Sequence, residues 1–450
     1  MSAPGAAEAL YARLPIALQQ AACAVEGWRI RRHRYGHHFF ELLREAEQRA
    51  AWPEERLIEY RDRRLAAFVA RARKSVPHYR EQGAAEPVAL LEKEAVRENP
   101  LAFRADVRRA GQFRSVHTSG TTGAGLRFWA TPEALQEQWA IWWRYRRWHD
   151  LQPGTLCGYF GGRSVVPLVQ DAPPYWRYDL AGRQIFFSGY HLRDGCLPAY
   201  VGELRRSQPR WLHGYPSLLA LLAAYVLDRG LDLGYRIGWI TTGAENLLPH
   251  QRDLMERAFG VRPRQHYGMA EAVANASECE RGSLHIDEDF AYVELEPAGR
   301  DARRVVGTNF SNPATPLLRY AVSDHAQWAS GKCACGRPGR VLASVDGRQE
   351  DYVVLTSGAR VGRLDHVFKD LTAIREAQIV QEAEGLVRVR VVRGRHYRAA
   401  DQSRLETELR ARLGGTPFQI EYTAELERSS TGKLRFVVSR LAAGRLPSSV

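Results

Sequence analysis

Residues 211–227, WLHGYPSLLALLAAYVL, place a strand, a glycine-containing turn and a helix in immediate succession. The pattern predicts a short strand over residues 211–213, a turn at Gly214-Tyr215-Pro216-Ser217 and a helix that runs to Leu227. The unit recurs as a strand over 156–160 before Gly161-Gly162-Arg163, a strand over 237–242 before Gly243-Ala244-Glu245, and a strand over 264–267 before Gly268-Met269-Ala270-Glu271. Repeated units of this kind predict an α/β fold with a largely parallel sheet, in which ligands bind beyond the carboxyl ends of the strands.

The regions on either side of these units have different patterns. Residues 1–110 carry apolar positions at helical spacing, such as Leu57, Leu65 and Phe68, and we predict that they form helices. From Ser283 onward, short alternating stretches predict a β-rich subdomain, and the last hundred residues predict a small α+β domain. We therefore divide the chain into a helical leader of the large domain at 1–110, a core with a β-rich subdomain at 111–346, and a small C-terminal domain at 347–450.

Composition is that of an ordinary globular protein. Of the 450 residues, 45% are hydrophobic and 26% are charged, and the formal net charge is +13. The excess is carried by scattered arginines, which favours anionic ligands in general, but no nucleic-acid-binding motif accompanies it. Six cysteines are too few for a disulfide scaffold, the N-terminus lacks a signal-peptide pattern, and the longest apolar run, 218–227, is too short to span a bilayer. We expect a cytoplasmic protein without nucleic-acid or membrane partners.

A second distinctive stretch covers residues 116–125, VHTSGTTGAG. Glycines allow a tight turn close to a ligand, and successive backbone N–H groups with Ser and Thr hydroxyls make a concave anion site. No Gly-Lys-Ser/Thr follows the glycines, so this is not a Walker A loop. From its residues alone, the stretch is either a phosphate cradle or a polar turn between two strands.

Four short segments, in order along the chain, carry a family resemblance. They are Thr118-Ser119-Gly120-Thr121-Thr122-Gly123, His266-Tyr267-Gly268-Met269-Ala270-Glu271, Arg319-Tyr320-Ala321-Val322-Ser323-Asp324 and Ser429-Ser430-Thr431-Gly432-Lys433-Leu434-Arg435. Together they resemble the adenylate-forming superfamily of acyl-CoA synthetases, peptide-synthetase adenylation domains and firefly-type luciferases. Ser75-Val76-Pro77-His78-Tyr79-Arg80 and Cys333-Ala334-Cys335-Gly336-Arg337 look like its phenylacetate–CoA ligase branch. The helical leader and Gly214-Tyr215-Pro216-Ser217 look most like the capsule-biosynthesis ligase-like subgroup of that branch.

The resemblance implies an enzyme, an ATP-dependent ligase that forms an acyl-adenylate, releases pyrophosphate and passes the acyl group to a thiol. The thiol would be that of CoA or of a carrier-protein phosphopantetheine. In this family, residues 111–346 would be the AMP-binding core, and 347–450 would be a lid that rotates about a hinge at Glu350. The residues implied in ATP or AMP binding are Ser119, Gly120, Thr121, Thr122, Gly123, Gly243, Ala244, Glu245, His266, Tyr267, Gly268, Met269, Asp324 and Arg348.

The resemblance assigns catalysis to Thr118, Glu271 and Lys433, and the chemistry of these residue types supports it. Glu271 would hold Mg²⁺, because a hard cation that bridges phosphates prefers carboxylate oxygen. Asp324 would accept hydrogen bonds from the ribose hydroxyls. Lys433 would neutralise charge that develops at the α-phosphate in the transition state. From the residues alone, Lys433 could also be a solvated loop lysine, and Glu271 a carboxylate favoured at a helix N-terminus.

A metal site is predicted from one histidine and three cysteines: Cys279, His285, Cys333 and Cys335. Three thiolates and an imidazole suit a closed tetrahedral Zn²⁺ site. The resemblance implies that this cluster binds a structural zinc ion, and the alternative is a set of unrelated cysteines.

The acid substrate is less defined than the nucleotide. Four tryptophans within residues 139–148 and the turn at Phe160-Gly161-Gly162-Arg163 predict an aromatic or planar acid. Arg163 could contact a second carboxylate or a phosphate on that acid. The candidate pocket residues are Trp142, Phe160, Gly161, Arg163 and Tyr215.

The family pattern is not complete. Ala124-Gly125 stands where relatives usually carry Lys-Pro, and Val322-Ser323-Asp324 where they usually carry Thr-Gly-Asp. Two alternatives therefore stay open: a variant that passes AMP or the acyl group to a hydroxyl or amine, and a non-catalytic ATP-binding relative. The partners expected are a small carboxylate, ATP and a thiol acceptor, with a carrier protein and a second copy of the chain as further candidates.

Overall fold

A computed structural model describes most of the chain. The described residues are 10–83, 88–106, 113–118, 126–193, 195–297, 303–346, 353–361, 364–368, 371, 373–393, 397–424, 426 and 437–441. Several predicted site residues lie outside these ranges, namely Ser119, Gly120, Thr121, Thr122, Gly123, Arg348, Glu350 and Lys433.

Helices dominate the N-terminal region, as predicted. They are α1 (Ile16–Arg34), α2 (His37–Arg49), α3 (Glu54–Ser75), α4 (Pro77–Gln82) and α5 (Lys93–Glu98). Helix α3 buries Leu57, Phe68 and Ala72 on one face, which is the amphipathic pattern of its sequence. Pro77 cannot continue the hydrogen-bond ladder of α3, so the chain turns there and α4 begins.

An antiparallel hairpin carries residues 116–125, which we call the glycine-hydroxyl stretch. Its strands are β1 (Arg114–His117) and β2 (Arg127–Ala130), with His117 paired to Arg127. Thr118 closes the base of the connection, because its N–H donates to the Leu126 carbonyl at 3.0 Å and its Oγ1 accepts from the Leu126 N–H at 2.9 Å. The hairpin therefore holds both ends of the stretch together.

The centre of the molecule is a twelve-stranded sheet in the order β11-β12-β13-β14-β10-β9-β8-β7-β6-β3-β5-β4. The strands of its parallel part are β3 (Cys157–Gly161), β5 (Gln184–Ser188), β6 (Trp211–Gly214), β7 (Trp239–Gly243) and β8 (Arg264–Gly268), and β4 (Trp176–Asp179) is the antiparallel edge. The helices that alternate with these strands are α6 (Pro132–Arg147), α7 (Leu197–Ser207), α8 (Pro216–Asp228) and α9 (Pro249–Phe259).

The β-rich part continues the same sheet. Its antiparallel strands are β9 (Asn275–Glu278), β10 (Leu284–Ile286), β11 (Tyr292–Pro297), β12 (Arg303–Thr308), β13 (Tyr320–Trp328) and β14 (Val341–Asp346). Strand β9 pairs with β8, so the predicted subdomain is joined to the parallel part by ladder hydrogen bonds.

The C-terminal region forms its own small sheets. Strands β15 (Val353–Val354) and β16 (Arg360–Val361) make a ribbon, and β17 (Ile374–Ala383), β18 (Leu386–Arg393), β19 (Phe418–Tyr422) and β20 (Val437–Ser439) make a four-stranded sheet. Helix α10 (Ala399–Leu413) covers that sheet with Leu405, Leu409 and Leu413. The region touches the large sheet where Tyr190 joins its core and Arg193 donates to the Ser357 carbonyl at 3.1 Å.

Two helical layers cover the parallel strands. Phe160, Leu212 and Ile240 belong to the core that α7, α8 and α9 cover, whereas Cys157 and Trp211 pack with α2 and α6. Alternation along each strand separates the two sets. Within the described part of the chain, no helix combines the length and the apolar character needed to cross a bilayer.

Candidate active site

The turns that follow β6 and β7 meet at the carboxyl ends of their strands. The Tyr215 N–H donates to the Phe160 carbonyl at 2.8 Å, and a Cβ on Gly214 would lie 1.9 Å from that oxygen. Glycine is therefore required at this position. The Ser217 N–H donates to a carboxylate oxygen of Glu245 at 3.2 Å, and Ala244 adopts a positive φ of 69°. These contacts place Gly243-Ala244-Glu245 beside the start of α8.

Tyr267 and Asp324 are brought together from distant parts of the sequence. The Tyr267 hydroxyl donates to a carboxylate oxygen of Asp324 at 3.0 Å, although β9, β10 and β14 separate their strands in the sheet. Tyr267 is on β8 and Asp324 is on β13, so this hydrogen bond joins two of the four segments that carry the resemblance. We call the region of Tyr267, Asp324 and Glu271, which the sequence analysis predicts to bind the nucleotide, the nucleotide edge.

Glu271 is tied to the hairpin through a buried asparagine. The Asn309 amide donates to the Glu271 carbonyl at 3.1 Å and to the Thr315 carbonyl at 3.2 Å. The Thr315 hydroxyl in turn accepts from the N–H of Trp129, on β2, at 3.0 Å. The backbone of the proposed magnesium ligand is thereby coupled to the strand that follows the glycine-hydroxyl stretch.

The sequence analysis did not identify this coupling segment. Asn309, Asn312 and Thr315 are almost fully buried, and the Asn312 amide donates to the Trp129 carbonyl at 2.8 Å. The signal that could have found it is the run Asn309-Phe310-Ser311-Asn312-Pro313, because buried turn residues need side-chain partners for their backbone.

Helix α6 contacts the segment that precedes Glu271. The Gln138 amide donates to the Met269 carbonyl at 2.9 Å, and the rings of Trp142 and Tyr145 lie 5.6 Å and 5.3 Å from the ring of His266. Burial, with the nearby charge of Arg146, lowers the pKa of His266 to about 3. His266 is therefore neutral at physiological pH.

The structure separates the predicted substrate-pocket residues. Trp142 faces β8 and donates through its indole N–H to Asn275 Oδ1 at 3.0 Å. Phe160 is fully buried on the other face of the sheet, where it stacks on Phe187 at 4.6 Å. Alternation along β3 makes Tyr159, and not Phe160, the residue that shares a face with Trp142's helix.

The other predicted pocket residues lie around Tyr159 and the two turns. A Cβ on Gly161 would lie 2.6 Å from the Tyr159 hydroxyl, so Gly161 makes room for that ring. The Arg163 guanidinium lies 5.0 Å from the ring centroid of Phe186. Tyr215 packs partly buried against the core under α7, α8 and α9.

The predicted metal ligands converge. One ligand atom from each of Cys279, His285, Cys333 and Cys335 lies within 4.8 Å of all the others. Cys279 Sγ is 3.8 Å from Cys333 Sγ, and Cys335 Sγ is 3.3 Å from His285 Nε2. Zn–S bonds of about 2.3 Å and Zn–N bonds of about 2.0–2.1 Å at tetrahedral angles require separations of roughly 3.8 Å and 3.5 Å. The four residues therefore fit Zn²⁺.

Cys279 directly follows β9, His285 is on β10, and Cys333 and Cys335 are on the turn before β14. Burial raises the pKa of Cys335 to about 12. Burial also opposes ionisation of Cys333, but hydrogen bonds from Ser283, the Cys335 backbone and His285 outweigh it and lower its pKa to about 6. One thiol thus ionises readily and another keeps its proton, which a zinc ion would displace.

A buried ion-pair group holds α6 against the segment after β10, and sequence analysis missed it as well. Arg144 donates to Asp287 at 2.6 Å and to Asp289 at 2.8 Å, and Arg49 donates to Asp289 at 2.6 Å. All four side chains are nearly inaccessible to solvent. The charge run Asp287-Glu288-Asp289 in a stretch of apolar strands was the available signal.

The sequence is similar to two bacterial proteins over 67% or more of its length. It is 24% identical over 458 residues to Protein CapK of Staphylococcus aureus, a match that covers 96% of this chain and 99% of that protein. It is also 24% identical over 347 residues to the phenylacetate-coenzyme A ligase of Thermus thermophilus, covering 67% and 73% of the two chains. Residues 353–440 match the CapK C-terminal domain family.

Solved structures of a 2-hydroxyisobutyryl-CoA ligase share the fold. The ligase in the postadenylation state in complex with R3-HIB-AMP has a TM-score of 0.51 at 19% identity, covering 87% of this chain and 91% of that one. The same ligase with 2-HIB-AMP and CoA in the thioesterification state gives 0.51 at 20% identity, with the same coverage. The predicted α/β fold class with a smaller C-terminal domain is confirmed.

Proposed function

We propose that the chain is a member of the adenylate-forming superfamily, in its phenylacetate–CoA ligase-like branch with the capsule-ligase relatives, and that it activates a carboxylic acid with ATP. A carboxylate oxygen attacks the α-phosphorus, the α–β phosphoanhydride bond breaks, and pyrophosphate leaves. The sulfur of a thiol then attacks the acyl carbon of the adenylate, and AMP leaves. The acceptor is CoA or a carrier-protein phosphopantetheine.

The hydrogen bond between Tyr267 and Asp324 is the observation that carries the proposal. A phenol that anchors a carboxylate gives that carboxylate a fixed orientation, and an ionised carboxylate is an acceptor of the kind that ribose hydroxyls need. The Tyr267 ring offers a flat surface for the base, and Gly243-Ala244-Glu245 lies at the end of neighbouring β7. A nucleoside fits this combination better than a second protein chain does.

Phosphate and magnesium sites follow from the segments next to the nucleotide edge. Glu271 would bind Mg²⁺, and its backbone is coupled through Asn309 and Thr315 to the hairpin strand β2. The glycine-hydroxyl stretch would then hold the β- and γ-phosphates above Thr118. Lys433, which precedes β20 in the sequence, would bring its charge to the α-phosphate, and Arg348 would contact the nucleotide near the hinge at Glu350.

A structural zinc ion belongs to the proposal because the Cys279, His285, Cys333 and Cys335 cluster fits it. A closed site of this kind supplies folding energy and no open coordination position, so it contributes stability and not Lewis-acid chemistry. It would fasten the turn before β14 to β9 and β10.

Acid-dependent exchange of radiolabelled pyrophosphate into ATP, measured over a panel of carboxylates, tests the first step. At least one acid should support exchange, and Lys433→Ala should reduce its rate by about 10²–10³-fold while ATP binding persists, because one charge on the transition state is lost. Lys74→Ala, at the exposed end of α3, is the matched control. Failure of every acid in the panel to support exchange, or an unchanged exchange rate in Lys433→Ala, would refute the proposal.

Product analysis decides the acceptor. With an activated acid in hand, CoA, a phosphopantetheine-loaded carrier protein, an amine and an alcohol are each added and the products are identified by mass spectrometry. A thioester as the main product supports the proposed second step. An amide, an ester or an adenylylated alcohol would replace it with the variant reaction.

A further inference from the structure

Two arginines lie among indole rings on the face of the sheet that α6 covers. The Arg146 guanidinium lies 5.0 Å from the ring centroid of Trp143, 5.1 Å from that of Trp211 and 5.7 Å from that of Trp139. The Arg34 guanidinium, from the last residue of α1, lies 3.5 Å from the Trp139 centroid. We call these five residues the arginine–indole cluster.

Among the described residues, Arg146 has no carboxylate partner, and the carboxylate that acts on Arg34, that of Asp179, forms no ion pair within 4.0 Å of it. Arg146 is only 6% exposed, and its Nε lacks a hydrogen-bond partner within the same part of the chain. Burial lowers the pKa of both arginines, and the charge of Arg163 adds to this effect at Arg34. Asp179 is the nearby acid, and its carboxylate interacts with Arg34 and Arg163 while it accepts from the Gly182 N–H at 2.7 Å.

An unpaired buried cation is costly, and the rings around it offset only part of that cost. Cation–π contacts are worth about 0.5–2 kcal/mol each, whereas desolvation of an ion costs several kcal/mol. The guanidinium also keeps donors that an indole face cannot satisfy, and they form a planar fork that matches carboxylate or phosphate oxygens. Uncompensated buried charge of this kind is typical of a ligand site.

The cluster lies on one face of the sheet, below the carboxyl ends of the strands. Trp211 is the first residue of β6, whereas Gly214, where the turn starts, is its last. Tyr159, His213 and Thr241 are paired across β3, β6 and β7, so they share the face that carries Trp211. The Tyr159 ring lies 5.7 Å from that of His213, and burial with the charge of Arg146 lowers the pKa of His213 to about 3. The positive charge on this face therefore comes from the arginines, and the charge of Arg146 acts on His266, which precedes Tyr267, as well as on His213.

We propose that Arg146 and Arg34 bind a second anionic group on the acid substrate, so that the enzyme selects acids with a further carboxylate or phosphate. This inference rests on the proposed ligase function. The carboxylate to be activated would lie toward Tyr267 and Asp324, and the second anion would lie toward the arginine–indole cluster. A carboxylate and a phosphate both present two oxygens on one atom to a guanidinium group. The test below distinguishes between these two anions.

Matched acid pairs test the inference. Phenylacetate is compared with 4-carboxyphenylacetate, butanoate with glutarate, and glycolate with phosphoglycolate, in pyrophosphate exchange and in binding titrations by calorimetry without ATP. In the wild type, kcat/KM for the dianionic member of at least one pair should be higher by about tenfold or more, as expected for a charge-assisted bidentate contact. The pair that shows the preference tells carboxylate from phosphate.

Two variants assign the preference to the arginines. Arg146→Met and Arg34→Gln should each remove most of the preference for the dianionic acid. KM should rise for the dianionic acid and change little for the monoanionic one. Arg56→Gln is the control, since Arg56 lies exposed over Trp52 at 4.0 Å and should leave the preference intact. Arg34→Gln keeps the test decisive if Arg146→Met does not fold.

The outcomes separate this inference from the proposed function. If no acid supports exchange, the ligase proposal fails, and the binding titrations still decide whether dianionic acids bind through Arg146 and Arg34. A wild type that prefers monoanionic acids, or a dianion preference that survives both substitutions, would overturn the inference while the ligase function stands.

Discussion

Arg144 and Arg146 lie two residues apart on α6 and have opposite surroundings. Both are nearly inaccessible to solvent. Arg144 is bound by Asp287 and Asp289, and their charges more than offset its burial and raise its pKa. Arg146 lies among Trp139, Trp143 and Trp211, and burial lowers its pKa.

The difference separates a structural charge from one that is available to a ligand. The partners of Arg144 are fixed by the chain, so its charge holds α6 to the segment after β10. The charge of Arg146 is stabilised by rings alone within the described residues, so it remains able to bind an anion. The same residue type on one helix thus serves the fold at one position and, by our proposal, substrate selection at the other.

The largest expected effect is on stability, in the matched pair Arg144→Met and Arg146→Met. Arg144→Met leaves Asp287 and Asp289 with one fewer cation and should lower the free energy of unfolding by roughly 3–5 kcal/mol. Arg146→Met removes an unpaired charge at similar volume and should cost less than about 1.5 kcal/mol. Urea denaturation followed by tryptophan fluorescence measures both.

The opposite order of destabilisation would contradict the distinction between the two arginines. If Arg146→Met were the more destabilising of the two, Arg146 would be the structural arginine, and its place in substrate selection would lose its basis.

The next largest effect concerns the proposed zinc site. Its ligand His285 lies two residues from Asp287, a partner of Arg144. Cys335→Ser should reduce the bound zinc, measured by mass spectrometry of the metal, from one ion per chain to near zero. The free energy of unfolding should fall by on the order of 2–4 kcal/mol, since a lost structural metal no longer stabilises the turns it joins. Cys23→Ser, outside the cluster, is the control. Full zinc content in Cys335→Ser would contradict the assignment.

Much of the fold was predictable because it depends on local pattern. The strand and helix over 211–228 follow from alternation, a turn with Gly214 and Pro216, and an apolar run, and the structure has them within two residues of the prediction. The helices before residue 100 and the mixed C-terminal domain were predicted on the same grounds. The continuity of the parallel and β-rich parts in one sheet was not, because the pairing of β8 with β9 is a long-range choice.

The candidate site divides in the same way. Motif residues such as Tyr267 and Asp324 are recognisable in the sequence, although their hydrogen bond is not. The arginine–indole cluster draws on α1, α6 and β6, and scattered Arg and Trp residues look alike in a sequence whether they form core, ion pairs or a ligand site. Phe160 illustrates the limit, because a shift of one position along β3 exchanges one face of the sheet for the other.

A smaller effect concerns pH, and it separates the two arginines again. The folded pKa of His213 and of His266 is about 3, below the unfolded value of about 6.5. Their neutral forms therefore stabilise the fold above pH 6.5, and that contribution is lost as pH falls from 6.5 toward 3, by about 2 kcal/mol per histidine at pH 5.

Because the charge of Arg146 adds to burial in lowering the pKa of both histidines, Arg146→Met should raise these pKa values and flatten the pH dependence of the unfolding free energy between pH 5 and pH 3. Arg144→Met, measured over the same range, should leave that slope unchanged. Equal slopes in the wild type and Arg146→Met would mean that the cluster does not set the protonation of His213 and His266.

The smallest effect is at the nucleotide edge. Tyr267→Phe removes one hydrogen bond to Asp324 and keeps the ring, so ATP affinity should fall by about 3–10-fold, or roughly 0.5–1.5 kcal/mol. Discrimination between monoanionic and dianionic acids should be unaffected, because that property is assigned to the arginines. Calorimetry of ATP binding in parallel with the acid pairs checks both statements, and a change in acid discrimination alone would count against the division of roles.

The most direct measurement is the identity of the nucleotide products when the protein, Mg-ATP and an activated acid react without any thiol. We expect pyrophosphate and an enzyme-bound acyl-adenylate whose mass equals that of the acid joined to AMP with loss of water. Formation of ADP and inorganic phosphate with the acid present would contradict it.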